Sequence, residues 1–460
     1  MSFRFRTSED LADAYRKGTT SPAEVAERAI EAADRFDSLD PSLRTFIDLR
    51  PEDVRAQAEA STRRFRDGAP LGLLDGVPVA IKDEFNVKGY PTTSGTAFLG
   101  GIPVDRDALV VERLRRAGAI LFGKTNMHEL GMGPSGINIF HGAARNPFDP
   151  ARDTGGSSAG SAAAVASGIV PLALGNDGGG SIRIPAALCG VAGIKGTYGR
   201  VPTDGVELTC WSLEHSGPMG SSVADVALAL RTLTGEPVPL SAPQGRSGRL
   251  RLGICEAWWA AADASTTKVV QAALDRLVEA GAEVVSVALP HIHLAQPVGF
   301  ATFAVETAAA VMPYILADRP MSAGVRAALD LARGISATTF VQAQRARALI
   351  ARDFDAALGE VDALVTPTTG ISARVYEEDT LLTGELNDAA ARLRTAFTFP
   401  LNLTGLPAMQ VPCGFDGEGM PVGLQVIAGR GEDELALAVA AEVEKMAEKR
   451  QPRVWVDLLG

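Results

Sequence analysis

Short apolar segments alternate along most of the chain with segments whose apolar positions recur at helical spacing. Residues 76–81, 119–122 and 171–175 are apolar runs of strand length, and residues 107–117 have the period of an amphipathic helix. The alternation resumes after residue 249 and continues into the C-terminal third. A strand that is apolar on both faces must be covered by helices on both sides. The pattern therefore predicts an α/β fold with a large mixed, mostly parallel sheet flanked by helices on both faces.

Composition narrows the class of partner. The 460 residues are 46% hydrophobic and 22% charged, the ordinary balance of a globular protein. The 44 basic and 55 acidic residues give a net charge of −11, which disfavours nucleic acid and acidic membrane surfaces as partners. The four cysteines lack a CxxC pair, so we expect reduced thiols in a cytoplasmic protein. No apolar stretch of about 18 residues occurs, so we expect no stable membrane anchoring. The sequence leaves the oligomeric state open, a homodimer included.

Two clusters of glycine and serine are the candidates for chemistry. The first spans residues 155–161, and in the second Gly178, Gly179 and Gly180 directly precede Ser181. Consecutive glycines leave their N–H groups unobstructed, and the serine hydroxyl then lies beside these donors, as an oxyanion hole for acyl transfer requires. The second cluster also lies between a predicted strand and a predicted helix, where doubly wound sheets place their sites. The alternative is that the glycines mark turns and the serines cap helices.

A nucleophilic serine needs a base. None of the five histidines occurs in a recognisable triad motif. A lysine that is kept neutral can serve instead, and Lys82 closes the first apolar strand. To act as a base at pH 7, Lys82 needs a pKa about three units below the usual lysine value of about 10.4. Such a shift corresponds to disfavouring the ammonium by about 4–5 kcal/mol. The alternative is a strand-end lysine that forms an ion pair with Asp83 or Glu84.

Three motifs, in order along the chain, resemble those of the amidase signature family. They are VAIKD at residues 79–83, GGSSAG at residues 155–160 and DGGGSIRIPA at residues 177–186. The intervals between them are those of the family, with 75 residues from Lys82 to Ser157 and 24 from Ser157 to Ser181. The resemblance covers nearly the whole chain and is weakest over residues 255–345.

The resemblance implies the family's fold and a Ser–cis-Ser–Lys triad. In that triad Ser181 is the nucleophile, Ser157 is the bridging serine and Lys82 is the base. The bridging serine relays the proton between the other two and follows a cis peptide bond. The family's oxyanion hole corresponds here to the backbone N–H groups of Gly178, Gly179, Gly180 and Ser181. Asp177 and Arg183 flank this loop and are expected to support it.

The activity that the resemblance implies is cleavage of a carboxylic amide through an acyl-serine intermediate, with no metal ion and no organic cofactor. The motif at residues 177–186 is similar to that of plant-type fatty acid amide hydrolases, which favours a small-molecule amide substrate with an apolar acyl or aryl part. Amide transfer or amide formation within the family is the first alternative, although Gly178 and Ile184 depart from the threonine and glutamine usual in transamidase subunits. A nucleotide-binding protein is the second, since G-x-x-x-x-G-K-T occurs between Gly118 and Thr125. Against it, the residues between those glycines are an apolar strand, where a phosphate cradle needs an exposed loop.

We expect one amidase domain over residues 1–460. At its N-terminal end, Ser21 begins a predicted helix with Glu24 at capping-box distance. The parts of the domain are a helical N-terminal part (residues 1–70), the catalytic core (76–235) and a variable region that shapes the substrate pocket (255–345). Whether residues 291–345 act as a lid is left open.

Overall fold

An eleven-stranded sheet forms the centre of the fold, and a separate two-stranded hairpin accompanies it. The computed structural model describes residues 3–207, 209–243, 245–246, 248–385 and 387–460. Residues 1 and 2 of the predicted N-terminal part and residue 208 of the predicted core therefore lie outside the described residues. The strands are β1 (Phe46–Asp48), β2 (Pro78–Lys82), β3 (Ile120–Thr125), β4 (Arg145–Asn146), β5 (Asp149–Asp153), β6 (Leu172–Asp177), β7 (Ala192–Lys195), β8 (His215–Gly220), β9 (Arg251–Ile254), β10 (Glu283–Ser286), β11 (Ala363–Pro367), β12 (Ala408–Phe415) and β13 (Pro421–Ile427).

The order of strands in the large sheet is β1-β3-β2-β6-β8-β7-β12-β13-β11-β9-β10. The prediction of a large mixed sheet is confirmed, but within the described ranges six of its pairings are antiparallel and four are parallel. The expectation of a mostly parallel sheet is therefore corrected. One reason is that β8 enters the sheet antiparallel to both of its neighbours. Another is that β12 and β13 form a hairpin, a connection that only antiparallel strands allow.

Helices cover both faces of this sheet. Alternate residues of β2 point to opposite faces, as a strand requires: Val79 and Ile81 belong to one apolar cluster and Ala80 to the other. The first cluster includes residues of the helices that begin at Leu109, Val223, Ala264 and Asp433, and the second includes residues of the helices that begin at Ser8, Pro22, Pro51, Ala159 and Arg183. The α-helices are α1 (Ser8–Lys17), α2 (Pro22–Asp37), α3 (Pro51–Arg66), α4 (Leu109–Arg116), α5 (Ala159–Ala166), α6 (Arg183–Leu188), α7 (Val223–Thr234), α8 (Glu256–Trp259), α9 (Ala264–Glu279), α10 (Ala295–Ala310), α11 (Met312–Leu316), α12 (Ala323–Arg333), α13 (Ala337–Glu360), α14 (Glu378–Thr383), α15 (Asp388–Thr395), α16 (Phe399–Thr404) and α17 (Asp433–Met446); two short 3₁₀ turns are Glu129–Gly131 and Ile292–Leu294.

Local sequence signals account for the helix ends where they are strong. The predicted capping box is confirmed: the Ser21 hydroxyl accepts from the N–H of Glu24, and the Glu24 carboxylate accepts from the N–H of Ser21. Over α10 the signal is weak, because the helix itself has small and apolar residues on most of its sides and so lacks a clear amphipathic period. Here the hydrophobic pattern predicted no element, and the structure has four helices, α10 to α13, between residues 295 and 360.

Two further expectations concern thiols and membranes. All four cysteines are buried and free, as predicted; they are Cys189, Cys210, Cys255 and Cys413. In the part of the chain that the structure describes, no helix combines the length and the apolar character that a membrane crossing requires.

Candidate active site

Lys82 lies at the carboxyl end of β2, and β2 runs parallel to its neighbour β6. Because parallel strands bring their carboxyl ends to one edge of a sheet, Lys82 meets the residues that follow β6 there. Its ammonium donates a hydrogen bond of 2.8 Å to Ser157 Oγ and one of 3.3 Å to the carbonyl of Asn176. The same nitrogen lies 2.9 Å from Glu84 Oε2. Lys82 is 1% exposed, so these contacts replace its hydration.

Ser157 follows a cis peptide bond with Gly156, as the family resemblance implies. Gly156 is held tightly: a Cβ at this position would lie 2.7 Å from the carbonyl oxygen of Gly133 and 2.7 Å from the amide nitrogen of Gly136. The carbonyl of Ser157 accepts a hydrogen bond of 3.1 Å from the N–H of His128. The packing of Gly156 and this backbone hydrogen bond therefore hold Ser157 in place, while its hydroxyl contacts Lys82.

Ser181 lies in the glycine loop between β6 and α6, buried except for 9% of its surface. The N–H of Ser158 donates a 3.2 Å hydrogen bond to its carbonyl, which brings the two glycine and serine clusters together. Among the described residues, the hydroxyls of Ser157 and Ser181 form no hydrogen bond with each other. The predicted residues thus converge at one edge of the sheet, with Ser157 in contact with Lys82 and Ser181 on the adjoining loop.

A buried ion pair holds the glycine loop. Arg183 Nε and Nη2 each donate a 3.0 Å hydrogen bond to the carboxylate of Asp177, and both side chains are fully buried. Burial by itself would raise the pKa of Asp177, but the charge and hydrogen bonds of Arg183 outweigh it and hold that pKa well below its usual value. The remaining guanidinium hydrogens reach Gln425 Oε1 at 2.8 Å, Asn402 Oδ1 at 2.7 Å and the carbonyl of Thr398 at 3.1 Å. The loop is therefore anchored to β13 and α16, in agreement with the supporting role expected for Asp177 and Arg183.

The N–H groups of the glycine loop differ in their partners. Gly180 N–H donates a 2.7 Å hydrogen bond to Asp177 Oδ1. This contact argues against the predicted role of Gly180 in an oxyanion hole, because its donor already has a charged acceptor. The N–H groups of Gly178, Gly179 and Ser181 donate to no protein acceptor within the described residues. The sequence could not separate these donors, since the separation depends on where the Asp177 carboxylate folds back.

Aromatic side chains from two distant elements pack against the same loop. A Cβ at Gly178 would lie 2.9 Å from Phe303 Cε2 and 2.6 Å from Cys210 Sγ, and a Cβ at Gly179 would lie 2.6 Å from Phe399 Cε1. The two phenylalanine rings are 6.5 Å apart, edge to face. Phe303 belongs to α10 of the predicted variable region and Phe399 to α16. Sequence reasoning did not find these residues, because no motif marks them.

Acidic side chains also collect near Lys82, and apart from Glu84 no sequence signal indicated this cluster. Glu214 is buried next to the glycine loop, and burial, together with the negative charge of Glu84, raises its pKa to about 7. On the other side, burial and the positive charge of Lys82 lower the pKa of His128 to about 4, so this histidine is neutral at pH 7.

The structure contradicts the alternative of nucleotide binding through residues 118–125. Residues Ile120–Thr125 form β3, so the interval between Gly118 and Gly123 is strand rather than phosphate cradle. Lys124 is fully buried, 2.7 Å from Asp83 Oδ1, and it donates to the carbonyl of Pro91 at 3.0 Å. Lys124 is thus a structural lysine. Nor does the described part of the chain contain a group of three or more His, Cys, Asp or Glu side chains placed to hold a metal ion.

Comparison with known proteins agrees with this arrangement. The family model Amidase matches residues 28–437. A fatty acid amide hydrolase of Arabidopsis thaliana is 38% identical over 483 aligned residues, covering 100% of this chain and 79% of that protein. The chain belongs to the amidase signature family. With such relatives it is an amide-hydrolysing enzyme.

Two further relatives support the family fold and show its functional range. A crystal structure of an amidase superposes with a TM-score of 0.88 at 34% identity, covering 96% of this chain and 100% of that one. A glutamyl-tRNA(Gln) amidotransferase subunit of Chloroflexus aurantiacus is 35% identical over 483 aligned residues, covering 96% of this chain and 97% of that protein. The family therefore includes proteins named as hydrolases and proteins named as amidotransferase subunits.

Proposed function

We propose that this amidase cleaves its substrate through an acyl-serine intermediate on Ser181, with Ser157 and Lys82 as the proton relay. The observation that carries the proposal is the buried 2.8 Å hydrogen bond from Lys82 Nζ to Ser157 Oγ, next to the loop that holds Ser181. A serine hydroxyl is a weak nucleophile until a neighbouring group removes its proton. A neutral Lys82 removes it indirectly, by accepting the proton of Ser157 while Ser157 accepts that of Ser181.

The steps of this reaction balance without a cofactor. Ser181 Oγ attacks the amide carbon, and its proton passes through Ser157 to Lys82. The C–N bond then breaks while Lys82 returns the proton through Ser157 to the leaving amine. Water repeats the sequence on the acyl-serine and releases the carboxylic acid. The relay requires the two serine hydroxyls to come within hydrogen-bond distance when substrate binds, a tightening that catalytic contacts commonly show.

The oxyanion that forms on the substrate carbonyl needs hydrogen-bond donors, and the glycine loop can supply three backbone N–H groups. We assign this role to the N–H groups of Gly178, Gly179 and Ser181, which have no acceptor in the described protein. The Gly180 N–H instead fixes the loop through Asp177. Donors that are already oriented cost no reorganisation during the reaction, and loss of one such donor typically costs about 10²–10³-fold in rate.

We infer the substrate class from the side chains beside the glycine loop. Phe303 and Phe399 lie against Gly178 and Gly179, beside the proposed oxyanion donors, and we assign them to the wall that meets the acyl part of the substrate. Apolar and aromatic walls favour an apolar acyl or aryl group, because such a group gains from leaving water. The similarity to a plant fatty acid amide hydrolase supports the same class.

Labelling with a serine-directed fluorophosphonate, followed by intact mass, tests the mechanism. We expect one adduct per chain, lost in Ser181→Ala and much reduced in Lys82→Ala. Ser161→Ala is the matched control, since Ser161 is a buried serine of the first cluster whose hydroxyl bonds to Thr125 and Leu174 instead. An adduct that persists in Ser181→Ala would refute the assignment of the nucleophile.

Transfer of the acyl group to an amine is the second candidate, favoured by the 35% identity to an amidotransferase subunit. Product analysis separates the two. Hydrolysis yields the free acid as the main product when a simple amine is present at millimolar concentration. A new amide as the main product under the same conditions would favour transfer.

A further inference from the structure

A buried carboxylate faces the lysine of the proposed relay. Glu84 follows Lys82 by two residues, just beyond the end of β2, and its Oε2 lies 2.9 Å from Lys82 Nζ. The two side chains are 2% and 1% exposed. The hydrogen bonds of the ammonium go to Ser157 and to the carbonyl of Asn176, so Glu84 supplies charge rather than a further hydrogen bond.

The position of Glu84 is fixed by its surroundings. Its carbonyl accepts a 2.8 Å hydrogen bond from the N–H of Glu207. Its carboxylate lies against Gly131, where a Cβ would be 3.0 Å from Glu84 Oε1 and 3.6 Å from Ser157 Oγ. A larger residue at position 131 would therefore press on the Glu84 carboxylate.

Four other titratable groups lie near this pair or interact with its charges: His128, Glu207, Cys210 and Glu214. His128, after β3, has its pKa lowered to about 4 by burial and by Lys82, so it carries no charge near neutral pH. Glu214, before β8, has its pKa raised to about 7, and burial, with the charge of Glu84, also raises the pKa of Glu207. Burial raises the pKa of Cys210 well above its usual value, which keeps the thiol protonated. Glu84 is therefore the carboxylate in direct contact with Lys82, and the others respond to it.

We propose that Glu84 is a positioning residue that stabilises the ammonium form of Lys82 and thereby sets the pH at which acylation of Ser181 begins. The inference rests on the proposed function of Lys82 as the base. An opposite charge in contact favours the charged form of a lysine, here both in the resting enzyme and in the transition state, where Lys82 has just received a proton. The contact with Glu84 thus stabilises the proton that Lys82 receives and also opposes the loss of that proton.

The test is the pH profile of Glu84→Gln, measured both as amide turnover and as the rate of fluorophosphonate labelling. We expect the acid limb of kcat/KM to move to lower pH by about 1–3 units, because the ammonium loses its counter-charge. We also expect the plateau to fall roughly tenfold, because a weaker base transfers the proton less readily. The profiles of wild type and variant should therefore cross, and a residue with only a structural role would lower the whole profile without moving the limb.

Asp83→Asn is the matched control, since Asp83 forms an equally buried ion pair one position earlier, with Lys124. Its acid limb should coincide with that of the wild type. If Glu84→Gln does not fold, Glu84→Asp serves instead, with a smaller shift in the same direction because the shorter carboxylate retreats from the lysine.

The outcomes separate this inference from the proposed function. No labelling of wild-type Ser181 would refute the proposed function. Normal labelling, with an acid limb that stays in place or moves to higher pH in the Glu84 variant, would overturn the role of Glu84 alone. An equal shift in Asp83→Asn would overturn it as well, because the effect would then be general.

Discussion

Arg183→Met tests whether the buried ion pair with Asp177 holds the nucleophile loop. The substitution keeps much of the side-chain volume but leaves the Asp177 carboxylate buried without its cationic partner. Breaking a fully buried pair by removing one member costs about 3–5 kcal/mol, because an uncompensated charge stays inside the protein. The contacts of Arg183 with Gln425 and Asn402 are lost as well, so we expect the upper part of that range.

The loss of stability in Arg183→Met should depend on pH, and the pKa of Asp177 in wild type and variant decides the direction of that dependence. In the wild type the pKa of Asp177 lies below its unfolded value of about 3.9, so its stabilisation is present above pH ~4 and is lost only as the pH falls further. Without Arg183, burial raises that pKa above the unfolded value, and the charged form then costs stability at neutral pH but not at low pH. The deficit of the variant should therefore be at least about 1 kcal/mol smaller at pH 5 than at pH 7.5.

Urea unfolding followed by tryptophan fluorescence measures both quantities. Arg116→Met is the control, since Arg116 forms an exposed ion pair with Glu112 that should contribute at most about 1 kcal/mol. Adding Asp177→Asn to Arg183→Met should recover part of the loss, because it removes the stranded charge. A loss below about 1 kcal/mol in the single variant, or a deficit that grows toward low pH, would refute the reasoning.

Three further predictions follow from individual contacts. Between pH 7 and pH 5, the stability of the wild type relative to His128→Gln should fall by about 2 kcal/mol in urea titrations, since the unfolded chain binds a proton on His128 near pH 6.5 and the folded one only near pH 4. The opposite contribution of Glu214, whose pKa is raised, is common to both proteins and cancels in this comparison. Gly160→Ala should destabilise by about 1–3 kcal/mol, because its Cβ would lie 2.6 Å from the amide nitrogen of Asn126, whereas Gly359→Ala, with no atom within 4 Å, should not destabilise. Gly179→Ala should lower kcat at least tenfold in an amide turnover assay, because the new methyl group collides with Phe399 and shifts the proposed oxyanion donors; an unchanged kcat would contradict that assignment.

Local sequence signals predicted the parts of the fold whose causes lie close together in the chain. The capping box of Ser21 and Glu24 depends on groups three residues apart, and it formed as expected. The strand that ends at Lys82 was visible because every residue in it is buried. Helix α10 was not predicted, because small and apolar residues lie on most of its sides and leave little of the periodicity by which a helix is detected. Helix α12 does have that periodicity, in the buried residues Val325, Leu329 and Ala332, and the sequence analysis missed it.

The hydrophobic pattern also could not predict the direction of each strand in the sheet. Alternating helix and strand patterns favour parallel pairing, and four pairings are indeed parallel. The insertion of β8 between β6 and β7 is antiparallel on both sides and leaves no trace in the hydrophobic pattern. A strand that is buried on both faces looks the same in either direction, because its side chains carry no record of its hydrogen-bond partners.

By itself the sequence determined the residue types and spacings that identify the family, and with them the candidates Lys82, Ser157 and Ser181. Only the tertiary structure decided the environment of these groups: that Glu84 faces the lysine, that Asp177 occupies the Gly180 donor, and that Arg183 reaches Gln425 across 242 positions of the chain. The physical reason is that a spacing constrains which groups can meet at a sheet edge, whereas charge, burial and hydrogen bonding depend on every element that packs there.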